Sequence, residues 1–174
     1  MDDRLLTFLR PLYQDLDGIS RLDDIERVTR LARRIYEPAT PIDAHAFELL
    51  LAFHGLGKWL DRVGNISRTV LVTGVITEEQ LRRTASSIRR LETPVTLYER
   101  AVAGARLIDS SGVRGLAQRF GTARREGQSL LDVVREAVAD GWIPEWMPPA
   151  GVGLLEKRLE ARRRFCSEIL EELE

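Results

Sequence analysis

The sequence is short of several things, and each shortage removes a class of function. It has one cysteine, Cys166, and two histidines. A lone cysteine forms no internal disulfide and builds neither a thiolate zinc cluster nor a paired-cysteine redox site. No stretch approaches the roughly 20 apolar residues that span a bilayer, so no membrane association is expected. Charge of one sign is also lacking, since 26 Lys and Arg face 27 Asp and Glu. A general nucleic-acid binder carries a basic excess or stripe, and nucleic acid is therefore not an expected partner. The opening MDDRLLTF sets two acids where a secretory signal is basic, and no small-residue cleavage site follows. The expected location is cytoplasmic. No G-x-S-x-G elbow, Walker loop or H-E-x-x-H pair occurs.

What is present is the balance of one soluble domain, 1–174, with 44% hydrophobic and 30% charged residues. Helical punctuation recurs and strand alternation is nearly missing. The fold class expected is all-α, a compact bundle of about eight to nine helices. A first helix over about 3–16 is interrupted by Pro11, which predicts a kink or a split. Ser20 with Asp23 opens an amphipathic helix over about 21–36, closed by Pro38 and Pro41. The next, about 43–62, is apolar on more than one side through Phe47, Leu50, Leu51 and Phe53, and should be central. The β-branched run 69–76 has no partner strand and reads as a short helix or an extended connector.

Thr77 with Gln80 starts a helix to about Leu91; Thr93-Pro94 and Thr96 with Glu99 start another to Ile108. Helices follow near 110–124, 129–140 and 153–173, the middle one marked by Ser129 with Asp132. Trp142, Trp146 and Met147 lie in a Pro- and Gly-rich loop, where such side chains either pin the loop to the core or floor a ligand pocket. The run Arg162-Arg163-Arg164 stands among Glu156, Glu160, Glu168, Glu171 and Glu172, and reads as a solvated face laced with charge pairs.

Four segments resemble the HD superfamily of metal-dependent phosphohydrolases, all-helical proteins named for an adjacent His-Asp pair. DIERVTRLARRIYEP, from Asp24, is similar to the helix that begins H-x-x-R-V. AFELLLAFHGLGKWLD is similar to the segment bearing the pair, with His54 and Gly55 at its two positions. VAGARLIDSSGVRGLAQRF, from Val102, and the tail EWMPPAGVGLLEKRLEARRRFCSEILEEL resemble one small bacterial branch. The resemblance runs from about residue 20 to the end and implies the HD helical fold. It also implies a metal site, whose four ligand positions fall on Asp24, His54, Gly55 and Arg106.

Only His54 keeps the ligand type. Gly55 offers none, and Arg106 sets a permanent cation where a dication would sit. At an effective dielectric near 20, a unit charge about 4 Å from a divalent ion is repelled by roughly 8 kcal/mol. Asp24 and His54 alone fall short of the three protein ligands usual at a catalytic zinc. No metal is therefore expected, and Arg106 is expected to stand buried in its place, paired with Asp24.

Plainer accounts accompany each residue. His54 on an apolar helix face can satisfy a core hydrogen bond or touch a ligand. Asp24 and Arg27, three apart, form a surface ion pair or line a pocket. Lys58 and Asp61 suit a solvated helix end or a cleft rim, and Asp109 a rim or a cap for the next helix. Gly55-Leu56-Gly57 does not follow a strand and makes no phosphate cradle. The resulting expectation is a degenerate, metal-free, non-catalytic module with a vestigial site at Asp24, His54, Gly55 and Arg106, rimmed by Arg27, Lys58, Asp61 and Asp109. Its partner would be a small phosphorylated ligand, another protein or a second copy in a homodimer. The rival expectation is a phosphohydrolase of nucleotides or phosphate monoesters that uses one divalent metal held by Asp24, His54, Asp61 and Asp109. A nucleic-acid adaptor working through Arg27, Arg30, Arg33 and Arg34 ranks behind both, because no aromatics interleave with these arginines.

Overall fold

The structure, a computed structural model, describes residues 3–14, 22–57 and 76–173. Among the described residues there are eight α-helices and no strand, as the punctuation predicts. They are α1 (Asp3–Gln14), α2 (Leu22–Ile35), α3 (Pro41–Phe53), α4 (Glu78–Arg89), α5 (Leu97–Ser111), α6 (Val113–Glu126), α7 (Leu130–Ala139) and α8 (Pro149–Leu173), with a 3-10 turn at Arg90–Glu92. None of them is long and apolar enough to cross a membrane. The ambiguous residues 69–75 lie outside the described residues, as do 58–62 at the end of the expected central helix. By its contacts the chain divides into two compact units, Met1–Ala103 and Gly104–Glu174, the division falling inside α5.

In the first unit α3 is the hub. Phe47 and Leu49 to Phe53 are all buried, and α1, α2 and α4 pack on it. A helix apolar around most of its circumference has to be enclosed in this way. α1 contributes Leu5, Leu9 and Tyr13, four residues apart and all buried. Along that stripe the helix is one unsplit element with Pro11 inside it, where a kink or a split was expected. α2 buries Ile25, Val28, Ala32 and Ile35, and Tyr36 meets Phe47 edge to face at 5.3 Å.

Two boundaries differ from the expectation for reasons visible in the caps. Pro41 is the first residue of α3 and not part of the connection before it. Thr40 caps the helix by accepting from the Asp43 N–H at 3.1 Å, and a proline at that first position forfeits no intrahelical bond. The far end stops at Phe53, and Leu56 N–H turns back to the Phe53 carbonyl at 2.8 Å. Gly55, a poor helix former, stands in that turn.

The second unit packs α6, α7 and α8 around Leu116, Ala123, Val133, Val134, Ala137 and Cys166, with Phe120, Val138, Ile169 and Leu170 at the margin. Gly127 ends α6 in the left-handed region, φ 71°, and lets the Gln128 N–H reach the Ala123 carbonyl. Ser129 stands at the start of α7, but its hydroxyl makes no capping bond. α8 starts at Pro149, four residues ahead of expectation, with proline again at a helix start. Two close approaches are built on glycine. A Cβ on Gly115 would fall 1.7 Å from the Ser110 carbonyl oxygen, and one on Gly104 would fall 2.8 Å from Met147 Sδ.

Candidate functional site

Asp24 sits in the first turn of α2, where a carboxylate suits the helix dipole. Arg27, one turn on, donates to its Oδ1 at 2.6 Å and to the Asp23 carbonyl at 3.1 Å. Both side chains are half-buried. His54 lies at the end of α3 with 4% of its surface exposed, and its Nδ1 is 2.8 Å from the Leu51 carbonyl oxygen. A ring nitrogen at that distance from a carbonyl must carry the proton. Gly55, beside it, turns the chain.

Tyr13 closes this corner: its hydroxyl donates to the Ala52 carbonyl at 2.6 Å. Burial pushes the Tyr13 phenol well above its ordinary range, and the Gly55 N–H pulls it part of the way back. Tyr13 and His54 thus each bond a carbonyl near the end of α3, those of Ala52 and Leu51.

Lys58 and Asp61 lie outside the described residues. Arg106 and Asp109 belong to the second unit, near the end of α5. Arg106 is exposed, which corrects the expectation that it stands buried in a former metal position. Asp109 is half-buried inside α5 and does not cap α6, whose cap position is Gly112 with no side-chain bond. His45, exposed as its early place in α3 predicts, accepts from the Gln80 side-chain amide at 2.8 Å. Among the described residues, no three His, Cys, Asp or Glu side chains gather in a way that could hold a metal ion.

Three of the four arginines named on α2 stand beside carboxylates. Besides Arg27, Arg33 grips Glu48 through both oxygens at 2.7 and 2.8 Å, and Arg30 stands 4.0 Å from Glu26.

The structure adds two buried charges that sequence reasoning did not assign. Glu99, in the first turn of α5, has no exposed surface. Its Oε2 accepts from the Val95 and Thr96 N–H groups at 3.0 and 3.1 Å, and its Oε1 from Arg90 Nη2 at 2.5 Å. Burial raises the carboxyl pKa, but Arg90, Ser87 and the two backbone N–H groups outweigh it and bring the pKa down to about 2. Thr96 and Glu99 had signalled a cap; nothing in the spacing signalled that Arg90, nine residues earlier, closes over it.

Arg162 is the second. It is 2% exposed, against the expectation of a solvated basic face. A signal for this was present: Leu155, Leu159, Arg162 and Cys166 fall at helical steps on one side of α8, and all four are buried. Of the late-loop residues, Met147 is buried against Gly104 and does pin the loop, while Trp142 is 69% exposed.

No family model, curated protein or solved structure matches this chain.

Proposed function

We propose that this chain is a binding module on the HD helical plan whose metal position has been retired, and that it acts without a metal and without catalysis. One observation carries the proposal. Of the residues at the former ligand positions, Asp24 is neutralised by Arg27 at 2.6 Å, and His54 is buried with Nδ1 turned into its own helix. A carboxylate already paired with a guanidinium has given up much of the negative potential that a divalent ion needs. Gly55 supplies no ligand atom, and the fourth position of the resemblance is held in the sequence by Arg106, which carries no carboxylate.

Elemental analysis of the purified full chain tests this: less than a tenth of an equivalent of Mn, Fe, Ni, Mg or Zn is expected. Near-stoichiometric metal sinks the proposal. A hydrolysis assay with a generic phosphate ester supplies the second arm, where rates equal to background with and without added divalent ions are expected. Metal-stimulated turnover that disappears in His54→Ala would instead establish the phosphohydrolase reading.

A further inference from the structure

The second unit holds a buried cation in surroundings more positive than negative. Arg162 Nη2 donates to the Asp140 carbonyl oxygen at the end of α7, and its Nη1 stands 3.6 Å from the Asp140 carboxylate. Arg119 of α6 reaches the same carboxylate at 2.9 Å. Arg163 lies across Gly141: a Cβ there would fall 2.1 Å from Arg163 Nη2, so only a residue without a side chain leaves the guanidinium its place. Trp142, the next residue of the loop, is the exposed indole.

Three guanidinium groups therefore gather around Asp140 and Gly141, two of them on the Asp140 carboxylate and the third beside Gly141, and none of them can shed its charge by losing a proton. Burial weighs most against the charged form of Arg162; Asp140 relieves it, and Arg119 and Arg163 oppose it again. Stapling the end of α7 needs one cation at its carbonyls. Arg162 meets that need, and Arg119 and Arg163 exceed it. The Nε of Arg162 is buried and makes no hydrogen bond among the described residues. Thr29 and Arg100 each have one such atom as well, so the orphan Nε gains its meaning from the excess charge around it.

We infer that Arg119, Arg163 and Trp142, backed by Arg162, form a binding site for the phosphate group of a small phosphate monoester. The exposed forks of Arg119 and Arg163 suit paired phosphate oxygens, and a dianion matches the two charges that Asp140 leaves uncompensated. Asp140 holds Arg119 and Arg162 in place, and the Trp142 ring offers an apolar face to whatever the phosphate is attached to. The site uses neither His54 nor Asp24 and stands or falls apart from the metal-free reading.

Titrating the full chain with inorganic phosphate, ionic strength held constant with chloride, and following tryptophan emission tests the assignment. A saturable change is expected, and it should vanish in Trp142→Phe. Arg119→Ala and Arg163→Ala, both at exposed positions, should each weaken the midpoint by about tenfold. Gly141→Ala changes no charge but displaces the end of Arg163, and should weaken it too. Followed by calorimetry, which needs no indole signal, phenyl phosphate should bind more tightly than inorganic phosphate, with that advantage lost in Trp142→Phe. A response that does not saturate, that chloride alone reproduces, or that survives both arginine substitutions overturns the site; equal binding of the two probes overturns the part given to Trp142.

Discussion

Glu99 in the first unit and Arg162 in the second are both buried charges at helix ends, yet they are provided for very differently. The Glu99 carboxylate collects two backbone N–H groups and the Arg90 guanidinium. Arg162 has one carbonyl, a carboxylate that it shares with Arg119, and an Nε–H with no acceptor among the described residues. A buried carboxylate needs donors, and the start of a helix has unused N–H groups in supply. A buried guanidinium presents five donors, and the end of one helix offers few acceptors that it can reach. The first charge is complete within the fold; the second leaves capacity for something from outside.

Removing Glu99 should therefore give the largest effect. Glu99→Ala leaves the Val95 and Thr96 N–H groups without their acceptor and opens a void in a fully buried place. Arg90 is 42% exposed and water can take over part of its loss. A destabilisation of about 3 kcal/mol is expected in chemical denaturation. A loss under about 1 kcal/mol would place Glu99 with ordinary surface ion pairs and dissolve the contrast.

Acid should reproduce part of that loss without mutation. Glu99 titrates at about 2 in the folded chain against an ordinary 4.5, so between these values the unfolded chain binds a proton that the folded chain refuses. Its contribution is complete above pH 4.5 and drains away as the pH falls towards 2. Stability measured against pH should decline through this window in the native chain and more shallowly in Glu99→Gln. Equal slopes would mean that other carboxylates carry the acid response.

These two sites also mark how far the sequence could be read. The helices of the fold were legible, because capping pairs and apolar periodicity are local: Thr77 with Gln80 caps α4 as the spacing predicts, and the apolar residues of α3 are indeed enclosed. Errors came where tertiary packing decided. Pro11 does not split α1, since Leu5, Leu9 and Tyr13 hold both sides of it to the core. Pro41 looked like a stop and is a start, because the same ring serves either end and Thr40 settles which. For the candidate site, the sequence supplied His54 and the Asp24–Arg27 spacing but not the Tyr13 contact with Ala52, which joins residues 39 apart. Arg162 was misjudged because its neighbours in the chain are charged, while its neighbours around the helix are apolar.

Arg162→Met gives the sharper half of the comparison. An apolar side chain of similar length can occupy the stripe between Leu159 and Cys166, and it removes a cation that burial and two other arginines disfavour. The Asp140 carboxylate keeps Arg119, and Asp140 is itself exposed enough for water to reach the freed carbonyl. Replacing a poorly compensated buried charge by a well-packed apolar group is commonly neutral or stabilising. Stability within about 1 kcal/mol of the native chain is therefore expected. A loss as large as that of Glu99→Ala would show that Arg162 is already fully satisfied, and would take with it the reason for expecting a ligand beside it.

The smallest effect separates each partner from the charge it serves. Arg90→Ala leaves Glu99 with its backbone donors, and Arg119→Ala leaves Asp140 with Arg162. Arg90 and Arg119 are similarly exposed, so each pair on its own contributes no more than about 1 kcal/mol. They should nevertheless part company. Arg90→Ala removes the only guanidinium described on Glu99 and should be destabilising by about 1 kcal/mol. Arg119→Ala lowers the crowding of positive charge around Arg162 as it gives up its own bond to Asp140, and the two changes offset. Thermal denaturation of the two variants side by side should therefore show a clear drop for Arg90→Ala and almost none for Arg119→Ala. A drop of equal size in both would mean that Arg119 is as necessary to its corner of the fold as Arg90 is, and that the second site has no positive charge to spare.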